Sequence, residues 1–135
     1  MENLIPIQTE YGTLYGRDCI FLDMVSQDQK GHLTFTGEFS NPLLRQGQKG
    51  QKWLSFKLTF HNLLACFSCE LDTYENLVKT ACHEGSCFDL VQESTWLQSF
   101  PVREDYKKDQ FSHYRLSTYD YVYDIIAASY HLEIG

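Results

Sequence analysis

Positive charge and long apolar runs are both scarce in this sequence. The 11 Lys and Arg side chains stand against 18 Asp and Glu, which gives a formal net charge of −7 at pH 7. That balance disfavours binding to nucleic-acid phosphates and to the negative leaflet of a membrane. No apolar stretch approaches the roughly 20 residues of a membrane span, and the first residues lack the basic and apolar parts of a secretory leader. We therefore expect a cytoplasmic protein that binds neither nucleic acid nor membrane.

Motifs that carry chemistry are missing as well. The sequence has no G-x-S-x-G nucleophile elbow, no glycine-rich phosphate loop in a strand–loop–helix frame, and no closely spaced pair of histidines. Asp120 and Asp124 would lie about 13 Å apart on one extended strand, which is too far for a hydrolytic dyad. These absences predict a protein that is not an enzyme, uses no cofactor and has no catalytic residue.

Cysteine occurs in an odd number, at Cys19, Cys66, Cys69, Cys82 and Cys87. An odd count without a leader is typical of free thiols in a reducing compartment. The C-x2-C pair at 66–69, together with Cys82, His83 and Cys87, supplies enough soft ligands for zinc. However, a strand at 66–69 would send its two thiols to opposite faces, and buried Cys commonly acts as a small apolar residue. We predict no metal site and keep an enzyme or zinc protein using Cys82, His83 and Cys87 as an alternative.

Aromatic residues, in contrast, are abundant, with nine Tyr, nine Phe and two Trp. Residues 32–39 (HLTFTGEF) and 53–60 (WLSFKLTF) alternate apolar and polar side chains, which predicts strands with one buried face. Residues 63–71 follow after a tight turn and predict a second buried strand, in a hairpin with 53–60. Asp72 and Glu75 have capping-box spacing, which predicts that a helix begins there.

The remaining patterns complete a mainly β chain. Ser94 or Thr95 can cap a short helical turn that Pro101 ends. Further strands are predicted at 18–25, 86–92, 112–119, 121–127 and 129–134. We find no repeat or linker, so residues 1–135 are expected to form a single domain. The predicted fold is an antiparallel β-sandwich or flattened β-barrel with one or two short helices.

The most distinctive pattern lies in the last third of the chain. There Tyr119, Tyr121 and Tyr123 alternate with Asp120 and Asp124. Tyrosine is enriched at protein interfaces because it offers a large contact area with little side-chain entropy to lose. We therefore predict these five residues as a binding surface on a Tyr- and Asp-bearing sheet face. The alternative is that the three rings line the rim of the core, with their hydroxyls reaching water.

Two segments resemble parts of a group of short, uncharacterised bacterial proteins: residues 58–76 (LTFHNLLACFSCELDTYEN) and 113–134 (HYRLSTYDYVYDIIAASYHLEI). In that group a strand pair ends in a D-x-Y-E-like segment, and an HY-x-L-x-x-YD-x-V-x-x-I block closes the domain. Residues 86–97 (SCFDLVQESTWL) fit the same pattern. The resemblance implies a stand-alone all-β domain without an assigned activity. Some small acidic bacterial proteins of this kind serve as immunity proteins that neutralise polymorphic toxins, and no functional residue carries over.

The functional hypothesis that follows is a non-enzymatic protein-interaction domain. Its partner would be another protein, and a basic one would be steered in by the acidic charge. An immunity protein that binds a toxin is the concrete version, and a homo-oligomer is a further partner that the pattern allows. A small-ligand-binding β-barrel, with a pocket lined by Phe and Tyr, is the main alternative.

Overall fold

The computed structural model describes residues 2–9, 12–15, 19–40, 53–77 and 86–135, and for residues 75–77 it describes the backbone alone. Within these ranges the chain forms nine β-strands, two short α-helices and one 3-10 turn at Lys108–Gln110. The strands are β1 (Asn3–Pro6), β2 (Ile20–Gln27), β3 (Leu33–Ser40), β4 (Trp53–His61), β5 (Ala65–Glu70), β6 (Phe88–Gln92), β7 (Ser112–Ser117), β8 (Tyr121–Ala127) and β9 (Ser129–Ile134). The helices are α1 (Leu71–Leu77) and α2 (Thr95–Ser99).

The strands form two antiparallel sheets. The four-stranded sheet has the order β2-β3-β4-β9, and the five-stranded sheet has the order β1-β6-β7-β8-β5. As far as the described strands show, each sheet is open at both edges, so the predicted mainly β fold is confirmed as a sandwich-like arrangement rather than a closed barrel.

Apolar side chains from both sheets fill the space between them. On β3 and β4, every second residue is buried, as the alternation predicted. Phe60 has no exposed surface, and its ring lies 6.2 Å from that of Phe88 and 5.2 Å from that of Tyr114, both on the opposite sheet. In the described part of the chain, aromatic rings therefore occupy the interior in which the ligand-binding alternative placed its pocket.

The β5 strand overturns the predicted hairpin. β4 is hydrogen-bonded to β3 on one side and to β9 on the other, so it offers no edge to a further strand. The chain turns at Asn62, which has a φ of +53°, and β5 joins the five-stranded sheet beside β8. Residues 66–68 of β5 are exposed, so the prediction of a buried strand here is also wrong.

The two helices begin where side chains cap their first turns. α1 begins at Leu71, because the Glu70 carboxylate accepts hydrogen bonds from the backbone N–H of Asp72 (2.8 Å) and of Thr73 (3.0 Å). The prediction from the sequence had placed the start of this helix, and its capping residue, at Asp72. The predicted Ser94 cap of α2 is confirmed, since its Oγ accepts from the N–H of Leu97 at 3.0 Å. Neither helix is long and apolar enough to cross a membrane, and the same holds for every helical segment that the structure describes.

Candidate functional site

The turn between β7 and β8 carries the first two predicted binding residues, Tyr119 and Asp120. Thr118 closes this turn: its Oγ1 lies 2.8 Å from the carbonyl oxygen of Tyr121 and 3.1 Å from the Tyr121 nitrogen. Tyr119 and Asp120 are consequently held at the tip of a hairpin with their side chains exposed.

This turn packs against the edge of the four-stranded sheet. The backbone N–H of Tyr119 donates to the carbonyl of Ile20 at 3.1 Å. The Tyr119 ring stacks on Phe21 at a centroid distance of 5.0 Å and an angle of 22°, and Phe21 meets Trp53 edge-on, also at 5.0 Å. These contacts place aromatic side chains from both sheets side by side on one surface.

A groove of about 270 Å³ lies between β2 and the turn. We call it the β2-edge groove, and it is lined by residues 21–25, residues 118–121 and Tyr123. Met24 is 62% exposed and Tyr121 is 47% exposed, and Val25 and Tyr119 are also exposed. Asp23 and Asp120 are exposed beside them, so the groove combines apolar and aromatic surface with two carboxylates.

The edge of β2 adds backbone groups to this groove. β2 is the outermost strand of its sheet and pairs with β3. No other strand among the described residues pairs with β2, so its far edge keeps N–H and C=O groups that an added strand can use.

The last two predicted binding residues, Tyr123 and Asp124, lie on opposite faces of β8. Tyr123 is half-buried, lines the inner part of the β2-edge groove and meets Phe35 edge-on at 5.0 Å. Asp124 is 6% exposed and points to the outer face of the five-stranded sheet. The structure therefore brings Tyr119, Asp120, Tyr121 and Tyr123 together around one groove and separates Asp124 from them.

Asp124 is the centre of a buried polar network. Its Oδ1 lies 2.6 Å from Nε2 of His113 and accepts from Nε of Arg115 at 2.9 Å, and its Oδ2 accepts from the hydroxyl of Tyr74 at 2.6 Å. Burial acts to raise the pKa of Asp124, but the hydrogen bond with His113 and the positive charge of Arg115 outweigh it, so the pKa lies below its usual value. The carboxylate is therefore ionised and paired inside the protein.

The network extends from His113 to helix α2. Nδ1 of His113 lies 2.7 Å from Oγ of Ser94, which gives the Ser–His–Asp order of a catalytic triad. Ser94, however, is 3% exposed and its Oγ already accepts the capping hydrogen bond from Leu97. This hydroxyl positions the helix and the imidazole, and it does not line the pocket above Asp124.

A second open space lies directly above this network. It has a volume of about 370 Å³, and we call it the Arg115 pocket. Its floor is formed by His113, Arg115 and Asp124, and its walls by Glu2, Phe67, Tyr74, Thr95 and Trp96. The Arg115 pocket shares no lining residue with the β2-edge groove.

Sequence reasoning missed the floor of the Arg115 pocket, although a signal was present. Arg115 and Asp124 are direct cross-strand partners in the β7–β8 hairpin, and His113 lies two residues before Arg115 on the same face. A short polar turn at 118–120 fixes this register. Opposite charges at facing positions of a predicted hairpin could have indicated an ion pair.

The described cysteines lie on two different parts of the fold. Cys19 and Cys87 are buried beside one another, and a hydrogen bond from Cys87 lowers the pKa of Cys19 despite its burial. Cys66 is exposed and Cys69 is half-buried on β5. Cys82 and His83 lie outside the described residues. Within the described part of the chain, no cluster of three or more His, Cys, Asp and Glu side chains could hold a metal ion.

Comparisons of the chain with family models, with curated proteins and with solved structures find no match. The function is therefore argued from the two surfaces described above, the β2-edge groove and the Arg115 pocket.

Proposed function

We propose that this protein is a non-enzymatic interaction domain that binds another protein along the β2-edge groove. The observation that carries the proposal is an exposed aromatic groove beside a sheet edge without a described strand partner. An extended segment laid along such an edge forms main-chain hydrogen bonds, while its alternate side chains enter the neighbouring groove.

The charges of the groove favour a basic partner segment. Asp23 and Asp120 are exposed at its rim, and the whole chain carries a net charge of −7. Lys and Arg side chains can pair with these carboxylates and lie over the rings of Tyr119 and Tyr121. Pairing two copies of this chain edge to edge would bring two acidic surfaces together, so a basic partner is the better fit.

A peptide titration tests the mode of binding. One synthetic peptide alternates Lys with Val, and a matched peptide carries Glu in place of each Lys. We expect the basic peptide to shift backbone amide NMR signals in β2 and in residues 118–121, and added salt to weaken its binding. Equal binding of the acidic peptide, or shifts confined to other strands, would contradict the proposal.

A matched pair of variants tests the groove itself. Of the two exposed groove tyrosines, Tyr119 and Tyr121, the variant Tyr121→Ser removes the more exposed ring. Tyr106→Ser removes an exposed ring that lies outside the groove. We expect Tyr121→Ser to weaken binding of the basic peptide about tenfold, the size of a moderate hot-spot loss. Tyr106→Ser is expected to leave it unchanged, and equal losses in both variants would place the binding elsewhere.

The immunity-protein version of this proposal is supported by the sequence resemblance and by the acidity of the chain. It predicts a gene for a basic toxin domain beside the gene for this protein, and tight, salt-sensitive co-purification of the two products. A gene neighbourhood without a toxin domain, together with the lack of a co-purifying partner, would contradict it.

A further inference from the structure

The Arg115 pocket contains donors that the protein itself leaves unused. Arg115 has a side-chain exposure of 7%, and its Nε is hydrogen-bonded to Asp124. Its guanidinium carbon lies 5.4 Å from the centre of the Tyr74 ring, within the range of a cation–π contact. Among the described residues, the two terminal nitrogens of Arg115 have no hydrogen-bond partner. These nitrogens reach the open space of the pocket, where they can donate hydrogen bonds to a ligand that brings an acceptor.

A second carboxylate, that of Glu2, lines the same pocket. Glu2 accepts a hydrogen bond from the backbone N–H of Thr95 through Oε2, at 2.7 Å. Glu2 acts electrostatically on Arg115, yet no ion pair joins these two described side chains. The pocket therefore presents a donor group and an acceptor group that face a shared space without meeting.

The charge balance of the pocket selects the ligand class. Arg115 is neutralised by Asp124, with which it forms a direct ion pair, and Glu2 remains as an additional negative charge. A carboxylate ligand would be repelled by Glu2, and an amidinium would bring only N–H donors, which cannot accept a hydrogen bond from the terminal N–H groups of Arg115. A neutral group with an acceptor beside a donor, such as a carboxamide, can satisfy both sides.

The walls and the size of the pocket agree with a flat, small molecule. Phe67 and Trp96 present aromatic rings to the pocket, and Trp96 is itself held edge-on against His113 at 5.2 Å. The volume of about 370 Å³ lies within the range of about 300–1,000 Å³ typical of small-molecule sites. From these observations we infer that the Arg115 pocket binds a small aromatic primary amide, with its carbonyl on Arg115 and its NH2 group on Glu2.

Three ligands of one shape test this inference. Benzamide, benzoate and benzamidine are nearly isosteric and differ in charge. The sequence contains two Trp residues, so a Trp53→Phe variant leaves Trp96, in the pocket wall, as the single fluorescent Trp. We expect benzamide to change the Trp96 emission saturably, and the two charged analogues to bind at least about tenfold more weakly.

Substitutions at the pocket rim locate the site without disturbing its buried floor. Glu2→Gln removes the negative charge but keeps an oxygen that can accept from the backbone N–H of Thr95. The affinity for benzoate should therefore rise about tenfold relative to that for benzamide. Phe67→Ala, at a residue 43% exposed, should weaken benzamide binding, whereas Tyr106→Ala outside the pocket should not.

The inference is overturned if none of the three compounds gives a saturable Trp96 response, or if either charged compound binds more tightly than benzamide. It is also overturned if Glu2→Gln leaves the order and the ratios of affinity unchanged. Since the two surfaces share no lining residue, these outcomes are independent of peptide binding at the β2-edge groove.

Discussion

At the scale of single residues, one carboxylate connects four elements of the fold. Asp124 on β8 contacts His113 and Arg115 on β7 and Tyr74 on α1, and His113 leads on to the cap of α2. The three acceptor contacts satisfy both oxygens, and Arg115 supplies the balancing charge. A buried charge that is paired in this way is tolerated, but the loss of one partner leaves the other uncompensated.

The substitution Asp124→Asn is expected to destabilise the protein by about 3–5 kcal/mol, since Arg115 would then be buried without a counter-ion. Urea unfolding near neutral pH measures the free energy of unfolding. The control Asp120→Asn, in the exposed turn, should change it by less than about 0.5 kcal/mol. The double change Asp124→Asn with Arg115→Met should recover part of the loss, and a double variant weaker than Asp124→Asn alone would contradict the ion-pair explanation.

The same carboxylate predicts an acid-sensitive stability. Because the pKa of folded Asp124 is below its ordinary value of 3.8, the unfolded chain takes up this proton first as the pH falls. The contribution of Asp124 is therefore complete above about pH 5 and is lost as the pH falls through the folded pKa.

Urea midpoints measured between about pH 6 and pH 3 check this expectation. Asp124→Asn should flatten the acid slope. Asp28 should make a separate contribution to the acid slope, because hydrogen bonds from the backbone and ring of His32 lower its pKa to about 2. Asp28→Asn should remove that contribution. An unchanged slope in Asp124→Asn would refute the assignment.

At the scale of elements, a bulge in β2 brings its backbone unusually close to β3. The β2–β3 register shifts between Leu22 and Met24. A Cβ atom at Gly37 would lie 2.1 Å from the carbonyl oxygen of Phe21 and 2.9 Å from the Cα of Leu22. Both are backbone atoms, which cannot rotate away, so the strand that lines the β2-edge groove depends on glycine at this position.

The substitution Gly37→Ala should therefore force β2 to shift and destabilise the protein by about 1–3 kcal/mol, the usual range for overpacking. It should also alter the amide NMR signals of β2 more than those of β9. Ser55→Ala, at an exposed position of the neighbouring strand β4, is the matched control. A Gly37→Ala protein with wild-type stability would show that the bulge relaxes without cost.

At the scale of the whole molecule, one aromatic cluster joins the two sheets. Phe60 on β4 contacts Phe35 of its own sheet and Phe88 and Tyr114 of the other. Both sheets share the main core, and the five-stranded sheet adds only a small separate cluster in which Leu71, Tyr74 and Val122 pack together. We therefore expect the two sheets to unfold together.

Truncation of Phe60 to Ala should cost about 3–5 kcal/mol, as for other fully buried aromatic residues. The wild type and the variant should each unfold in one transition, with far-UV and near-UV circular dichroism changing together. Separate transitions for the two signals would mean that the sheets form independent cores. Truncation of the exposed Tyr106 is expected to leave the midpoint nearly unchanged.

Much of the strand pattern was predictable from local sequence. Alternation of apolar and polar residues located β3 and β4 and their buried faces, and Ser94 was correctly identified as a helix cap. The edge position of β5 was not predictable in this way, since it depends on which strands already flank β4. The burial of Asp124 was not predictable from local sequence either, because it depends on side chains of α1 and β7 that pack against it.

The sequence by itself determined the mainly β character, because period-two alternation is a property of neighbouring residues along one strand. It also placed three tyrosines and two aspartates in one hairpin. The tertiary structure decided which of them share a surface: packing against β2 gathered Tyr119, Asp120, Tyr121 and Tyr123 around a groove, and it buried Asp124 beneath the Arg115 pocket. Strand pairing and burial arise from contacts between residues distant in the chain, and local patterns do not encode those distances.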